Sequence, residues 1–593
     1  MTSHATPFSP PLPYTADDRI VWTGLGAGAD ALAIASAARS HPSVLLVVAR
    51  DTSEAARLEG ELGFFLARDD DPEVLHFPDW ETLAYDSFSP HQDIVSQRIE
   101  TLQRLPTLRR AVLVVPITTL MHRVPPADWL AGRSLVLDVG ARFDIDARRG
   151  QLEAAGYRRV DTVMEHGEYA VRGALMDIFP MGSEVPFRID LFDDEIETLR
   201  TFDPETQRTV DAVESVRLLP AKEFPLDRGA ISDFKDRWHT RFDVDARRCP
   251  VYQDVSSGSV PPGIEYYLPL FFEQLSALTD YLPAETCAVL CGDAGADARL
   301  FREEVAERHE NLRWDAERPI LPPDDLFLSV DELFTGIGRF AQVRLRDAVA
   351  GHRGSAFAFE VSALPAVQFD VRSDEPASRV VRWLAGDEPT APPPARALFL
   401  AESPGRREVL LETLQHAGLQ PDVFDDLDAF LASDVRHGLA VGPVEAGFRC
   451  AGAPEDAGTS PTAGDLALIP EAALIGERVR QTRRRARAAE SADAVVRSLS
   501  ELRDGAPVVH VDHGVGRYLG LETMDLGGMT NEFLTLEYAD GAKLYVPVAN
   551  LHLISRYTGA DEDVAPLHRL GSDQWEKAKR KAAEKVRDVA AEL

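Results

Sequence analysis

The sequence predicts a multidomain α/β protein, and three observations carry that prediction. Its 593 residues exceed what one core needs and, at about 150 residues per domain, imply roughly four domains. Residues 19–133 alternate continuous apolar runs with helical stretches, the pattern of a parallel sheet covered on both faces. Strict period-two alternation in FRIDLFDDEIETLRTFD and short Gly-punctuated runs over 499–568 mark β-rich units of a different kind.

In chain order, RIVWTG reads as a strand, 29–40 as an Ala-rich helix and SVLLVVAR as a fully buried strand. A helix over 53–66 and the strands VLHF and AVLVVP complete the first part. Residues 134–220 read as a small α+β domain with turn clusters such as PMGSEVP. Residues 221–355 return to helix and apolar strand. A third unit, 385–465, contains the strand ARALFLA, a helix over 406–417 and the strand HGLAVGPV, and ends in a Gly/Pro/Ala-rich excursion from 451. A linker over 466–498 holds the one dense basic run, RVRQTRRRAR (478–487), read as a solvated stretch rather than a nucleic-acid contact. In 499–568, ADG between two alternating runs predicts a hairpin, and strands this short fit a small β-barrel. Asp573 and Glu576, at capping-box spacing, open a charged helix over 570–593 with no Gly or Pro to stop it, so the helix is expected to run on.

Composition narrows the function. Lys and Arg number 63 against 97 Asp and Glu, a net charge of −34, which argues against wholesale nucleic-acid coating. Hydrophobic content of 45% and charged content of 27% exclude a disordered chain. No apolar run reaches membrane-spanning length and the N-terminus has no signal pattern, so a cytoplasmic protein without membrane contact is expected. Four cysteines give no disulfide scaffold. Cys287 and Cys291 share one strand face, and Cys249 and Cys450 are isolated, so no metal site is expected.

The chemistry is incomplete wherever it begins. Gly24, Gly26 and Ala29 fit G-x-G-x-x-A, and Asp51 falls near the end of the next strand, which leaves a dinucleotide-dependent enzyme as an alternative. A P-loop requires G-K-[ST], and Gly28-Ala29-Asp30 stands there instead, with an Asp that repels phosphate. Asp331-Glu332 after the apolar LFLSV resembles a magnesium-holding pair at a strand end but has no lysine loop to serve. Met164-Glu165-His166-Gly167-Glu168 lacks a third metal ligand, and no nucleophile elbow or triad spacing occurs. With no catalytic residue identified, a binding protein is expected rather than an enzyme.

Three segments, DWETLAYDSFSPHQD (79–93), HGEYAVRGALMDIFPMGSEVPFRIDLFDDEIETLRTFDPETQRTV (166–210) and GIEYYLPLFF (263–272), resemble the N-terminal, UvrB-like module of bacterial transcription-repair coupling factors. HVDHGVGRYLG and NEFLTLEYADGAKLYVPVANLHLISRY resemble the same family's CarD-type RNA-polymerase-interacting domain, an SH3/Tudor-like barrel, and residues 567–593 its helix leading into a motor. The resemblance implies a degenerate ATPase-fold domain over 19–133 and 221–355, interrupted by a UvrA-binding domain over 134–220. It also implies an adaptor that grips stalled RNA polymerase through the β subunit and recruits UvrA, through a surface masked until the protein engages. No cofactor is implied here. ATP, magnesium and most DNA contact belong to a superfamily 2 translocase half whose motifs are absent from this sequence.

Two sets of site residues follow. In FRIDLFDD, alternation sends Phe187, Ile189 and Leu191 to a core face and Arg188, Asp190 and Phe192 to the other. Pattern alone pairs Arg188 with Asp190 or Asp193 as a surface bridge; the resemblance makes Arg172, Arg188 and Phe192 the UvrA contacts, with Arg188 exposed and removable at little structural cost. In the barrel, Leu519, Leu521 and Thr523 are expected to face the core, opposite Tyr518, Glu522 and Met524. The resemblance then puts Met524, Leu526 and Tyr545 against polymerase. A regulator acting through the barrel alone leaves the first 350 residues without a role.

Overall fold

A computed structural model describes residues 3–13, 15–26, 28–346, 355–369, 376–387, 391–451, 465–475, 507–510, 513–525, 530–547, 554–556 and 567. The basic run at 478–487 and the C-terminal helix expected over 570–593 lie outside them. The chain divides into two compact units, Met1–Arg478 and Val479–Leu593.

The first unit is organised on an eight-stranded sheet in the order Ser3–Ala5, Ser355–Phe359, Arg19–Thr23, Ala341–Arg346, Cys287–Cys291, Val44–Ala49, Ala111–Pro116, Glu73–His76. Every pairing in it is parallel. Its strands come from both ends of the first 359 residues, so the sheet closes around the intervening chain. The run VLLVVA is buried at every position because both faces are covered. Val44, Leu46 and Val48 enter one core together with Leu113, Val115, Ala288 and Leu290. Leu45, Val47 and Ala49 enter the other with Val112, Val114, Cys287, Val289 and Cys291.

A six-stranded sheet fills the intervening region in the order Thr209–Val213, Glu195–Phe202, Phe187–Phe192, Leu175–Ile178, Glu168–Arg172, Arg158–Arg159. It is antiparallel apart from its last pair. Tyr169, Met176, Ile178, Ile189 and Leu199 on one face join the first core of the parallel sheet. On the other face Val163, Ala170, Phe179 and Phe202 form a small cluster of their own.

The third sheet is mixed, in the order Val361–Ala363, Phe448–Ala451, Asp465–Pro470, Arg396–Ala401, His437–Val441, Asp422–Val423. Leu398, Leu400, Phe448 and Leu468 of this sheet, with Phe430 of the helix Leu427–Ala432 and Val444 of a loop, share the second core with Ala29, Leu32 and Leu62, so this small domain is fused to the parallel-sheet domain by apolar packing.

The second unit is a five-stranded antiparallel sheet in the order Lys543–Pro547, Thr530–Glu537, Gly514–Asp525, Pro507–His510, Ile554–Arg556. Val508, Tyr518, Leu534, Leu536, Tyr538 and Val546 are its core.

The structure corrects three local readings. The linker expected from 466 does not begin there, because Asp465–Pro470 is an inner strand of the third sheet, paired on both sides, and Glu471–Ile475 a helix. Asp331 and Glu332 do not end a strand; they lie in the first turn of the helix Val330–Ile337, whose Ser329 and Glu332 form a capping box. The Ser-x-x-Glu signal satisfies two orphan helix donors, and this outweighs the apolar run before it. In the second unit Tyr518 is buried and Leu519 is 40% exposed, the reverse of the expected faces. The register shifts between Tyr518 and Gly520, so simple alternation fails at that point.

Candidate partner-binding surfaces

The outer face of the antiparallel sheet in the first unit is built on one buried carboxylate. Asp177 stands directly opposite Arg188 in the strand register and is 1% exposed. Arg188 donates from Nε to Oδ1 at 2.7 Å and from Nη2 to Oδ2 at 3.0 Å, a bidentate pair. Its guanidinium lies 4.9 Å from the centroid of the Phe202 ring and donates to the Gln207 carbonyl at 3.3 Å. The hydrogen bond to Asp177 holds the Arg188 pKa above its ordinary value. Arg188 is therefore mostly covered, and its partner is Asp177 rather than Asp190 or Asp193. Asp190 instead accepts from the Thr198 hydroxyl at 2.9 Å.

Arg172 reaches the same carboxylate from the neighbouring edge, with Nη1 3.6 Å from Asp177 Oδ2, and donates to the Asp161 carbonyl at 2.6 Å. Half of its side chain is open to solvent. Phe192 ends its strand on the same face as Arg188, about 13 Å further along at 3.3 Å per residue, and is 73% exposed. The two arginines thus meet through Asp177, with Phe192 standing apart as an exposed ring. Met164, 48% exposed, joins this surface through Gln207, whose Nε2 lies 3.8 Å from the Met164 Sδ and donates to the Val163 carbonyl at 3.0 Å. Sequence reasoning missed Asp177. Its one trace was a lone carboxylate inside the apolar run LMDIF.

The Met164–Glu168 segment has a structural role. Glu168 is buried and accepts from the backbone N–H of Met164 and Glu165 at 2.8 and 3.0 Å. His166 sits between Asp93 and the Ser183 carbonyl, 2.7 Å from each. No group of three His, Cys, Asp or Glu side chains arranged for a metal occurs among the described residues.

In the second unit, Met524 pairs with Asn531 in the strand register and Tyr545 pairs with Thr535. Tyr545 is 39% exposed on the sheet's edge strand. Leu526 lies outside the described residues.

The glycine loop of the first unit is shaped by packing. Gly24 and Gly28 both have positive φ. A Cβ on Gly24 would lie 2.9 Å from the Phe359 carbonyl oxygen, and one on Gly28 2.5 Å from that of Ala446; Gly26 faces open space. Asp30 is buried and takes both oxygens to Arg57, at 2.7 and 3.1 Å. Asp51 caps the next helix by accepting the Glu54 N–H at 2.8 Å, so it is committed to the fold.

Three families match along this chain. The UvrB interaction domain matches residues 135–224, the MFD D3 domain residues 392–474, and the CarD-like/TRCF RID domain residues 502–558. The transcription-repair-coupling factor of Escherichia coli (strain K12) is 46% identical over 98% of this chain and 49% of its own length. Over nearly all of its length the chain is similar to transcription-repair-coupling factors. That of Haemophilus influenzae is 42% identical over 99% of the chain and 49% of its own length, and that of Myxococcus xanthus 29% identical over 94% and 47%. The chain spans about half the length of these curated relatives. Arg172, Asp177, Arg188 and Phe192 fall inside the UvrB interaction match, and Met524, Leu526 and Tyr545 inside the CarD-like match.

Proposed function

We propose that this chain is a two-ended adaptor of transcription-coupled repair, binding RNA polymerase with one unit and UvrA with the other. The observation that carries the reading is the presence, in one chain, of a UvrB interaction domain and a CarD-like/TRCF RID domain. At the first surface, Phe192 supplies an exposed aromatic anchor and Arg172 the accessible cation, the residue types enriched at binding hot spots. Arg188 contributes by holding the sheet face and Asp177 in place. At the second, Met524, Leu526 and Tyr545 meet the polymerase β subunit, by strand addition at the sheet edge.

The chain acts in the cytoplasm, needs no cofactor and is not itself an enzyme. ATP, magnesium and DNA translocation belong to a motor half of the full-length protein. The alternative of a nucleotide-dependent enzyme at Gly24–Ala29 is disfavoured by the closeness of Ala446 to Gly28 and by the engagement of Asp30 and Asp51 in the fold.

Purified UvrA and RNA polymerase, each titrated with this chain, test the reading. Both should bind, singly and together. Met524→Arg should remove polymerase binding alone, and Phe192→Ala should weaken UvrA binding alone. Failure of the parent chain to bind either partner overturns the proposal; unchanged binding by a variant removes that residue from its surface.

A further inference from the structure

We infer that the small α/β domain is a built-in occupant of the glycine-loop cleft, so that its docking and nucleotide binding at the loop exclude one another. The loop between Arg19–Thr23 and the helix Ala29–Ser40 presents helix N–H groups of the kind that receive a phosphate in nucleotide-binding folds. Here an internal acid is seated at that end, because Asp30 accepts the Ala31 N–H at 2.7 Å while pairing with Arg57 at 2.7 Å. Arg57 also donates to the fully buried Glu61 at 2.5 Å, and the second Glu61 oxygen accepts the Glu445 N–H at 3.1 Å. A continuous line of charge-assisted bonds therefore runs from the helix start into the small domain.

Close packing follows the same path. A Cβ on Gly28 would lie 3.2 Å from the Phe448 ring as well as 2.5 Å from the Ala446 oxygen, and one on Gly442 2.9 Å from the Phe64 ring. Further along the contact, Asp428 of the small domain accepts from Arg39 at 2.9 Å and from Arg68 at 2.5 and 2.8 Å. Segment 442–448 thus stands on the loop where a phosphate chain would have to enter, and shared core residues hold it there. Asp30, read from sequence as a residue that merely repels phosphate, is the first link of the clasp. The inference rests on this contact alone and is independent of either partner-binding surface.

Hydrogen exchange on the full chain, with titration of a fluorescent ATP analogue plus magnesium, tests it. Gly28→Val should accelerate exchange across 442–448 at least tenfold while Leu45–Val48 and Ala397–Leu400 keep parental protection. If that variant also exposes Leu45–Val48, Glu61→Gln decides. It keeps an acceptor for the Glu445 N–H but removes the charge facing Arg57, and should accelerate 442–448 several-fold without unfolding. Unchanged protection of 442–448 in Glu61→Gln, and in Gly28→Val where it folds, overturns the inference. The parent should show no saturable binding of the analogue. Ala29→Lys/Asp30→Thr, which restores G-K-T, should bind it only together with loss of protection at 442–448, or fail to bind. Saturable binding with 442–448 still protected, in either chain, overturns the mutual exclusion.

Discussion

Arg188 and Asp177 face each other across two antiparallel strands and share two hydrogen bonds, of 2.7 and 3.0 Å, on the sheet face that also carries the buried Ala170 and Phe202. Asp177 is 1% exposed and both its carboxylate oxygens accept from this partner, with Arg172 a more distant second at 3.6 Å. Arg188→Ala should strand a buried carboxylate and destabilise the first unit by about 3 kcal/mol, the scale for breaking one side of a buried pair. Urea unfolding measures the loss. The double replacement Arg188→Met/Asp177→Leu should recover most of it, because the uncompensated charge is gone. A stability loss below about 0.5 kcal/mol for the single variant means the pair is not structural.

Phe192 separates binding from folding in a way Arg188 does not. At 73% exposure, with its backbone at a strand end, it contributes little to the core. Phe192→Ala should change unfolding free energy by no more than about 0.5 kcal/mol. If the ring is an anchor for UvrA, the same variant should weaken that complex by about 2 kcal/mol, roughly thirtyfold. Isothermal titration with both chains reads the difference directly. Equal affinity of variant and parent places the contact elsewhere on the sheet.

Sequence patterns specified the parallel sheet and the faces of FRIDLF because apolar periodicity is a local signal. Val44–Ala49 and Ile189 are buried where those patterns put them. The Arg188–Asp177 pair was not legible, since alternation assigns each residue a face but does not name its partner on the neighbouring strand. Tyr518 and Leu519 exchanged faces for a similar reason: an irregularity in pairing with Thr530–Glu537 shifts the alternation midway. The clasp at Gly28 joins residues some 400 positions apart, by the numbers of Gly28 and Ala446 themselves, and no spacing rule reaches that far.

Gly516 is required by a neighbour rather than by its own backbone. A Cβ there would lie 3.0 to 3.1 Å from the ring of Tyr538, which is 1% exposed and donates its hydroxyl to the Gly514 carbonyl at 3.3 Å. Gly516→Ala should force the ring aside and destabilise the second unit by about 1–3 kcal/mol, the cost of overpacking. Thermal unfolding followed through near-ultraviolet tyrosine signals should show an earlier transition for that unit. An unchanged transition means the Tyr538 ring yields freely.

Glu332 gives the first unit a defined acid sensitivity. Burial opposes its charge, but the hydrogen bond from Arg123 at 2.8 Å, the Ser329 N–H at 2.8 Å and the Ser329 hydroxyl at 2.9 Å prevail. Together they hold the carboxyl down to about 2, against an ordinary value of 4.5. A depressed carboxyl stabilises the fold above its unfolded pKa, and that contribution fades as pH falls toward the folded value. Glu332→Gln retains a side-chain oxygen for the capping box but loses the charge facing Arg123, so it should lower Tm at neutral pH. The gap between parent and variant should stay constant down to about pH 5.5 and then narrow steadily through about pH 3.5, because the parent alone takes up a proton on unfolding there. Parallel melting curves across that range measure it. A gap that is as wide at about pH 3.5 as at neutrality means the Arg123–Glu332 contact carries no charge-dependent stability.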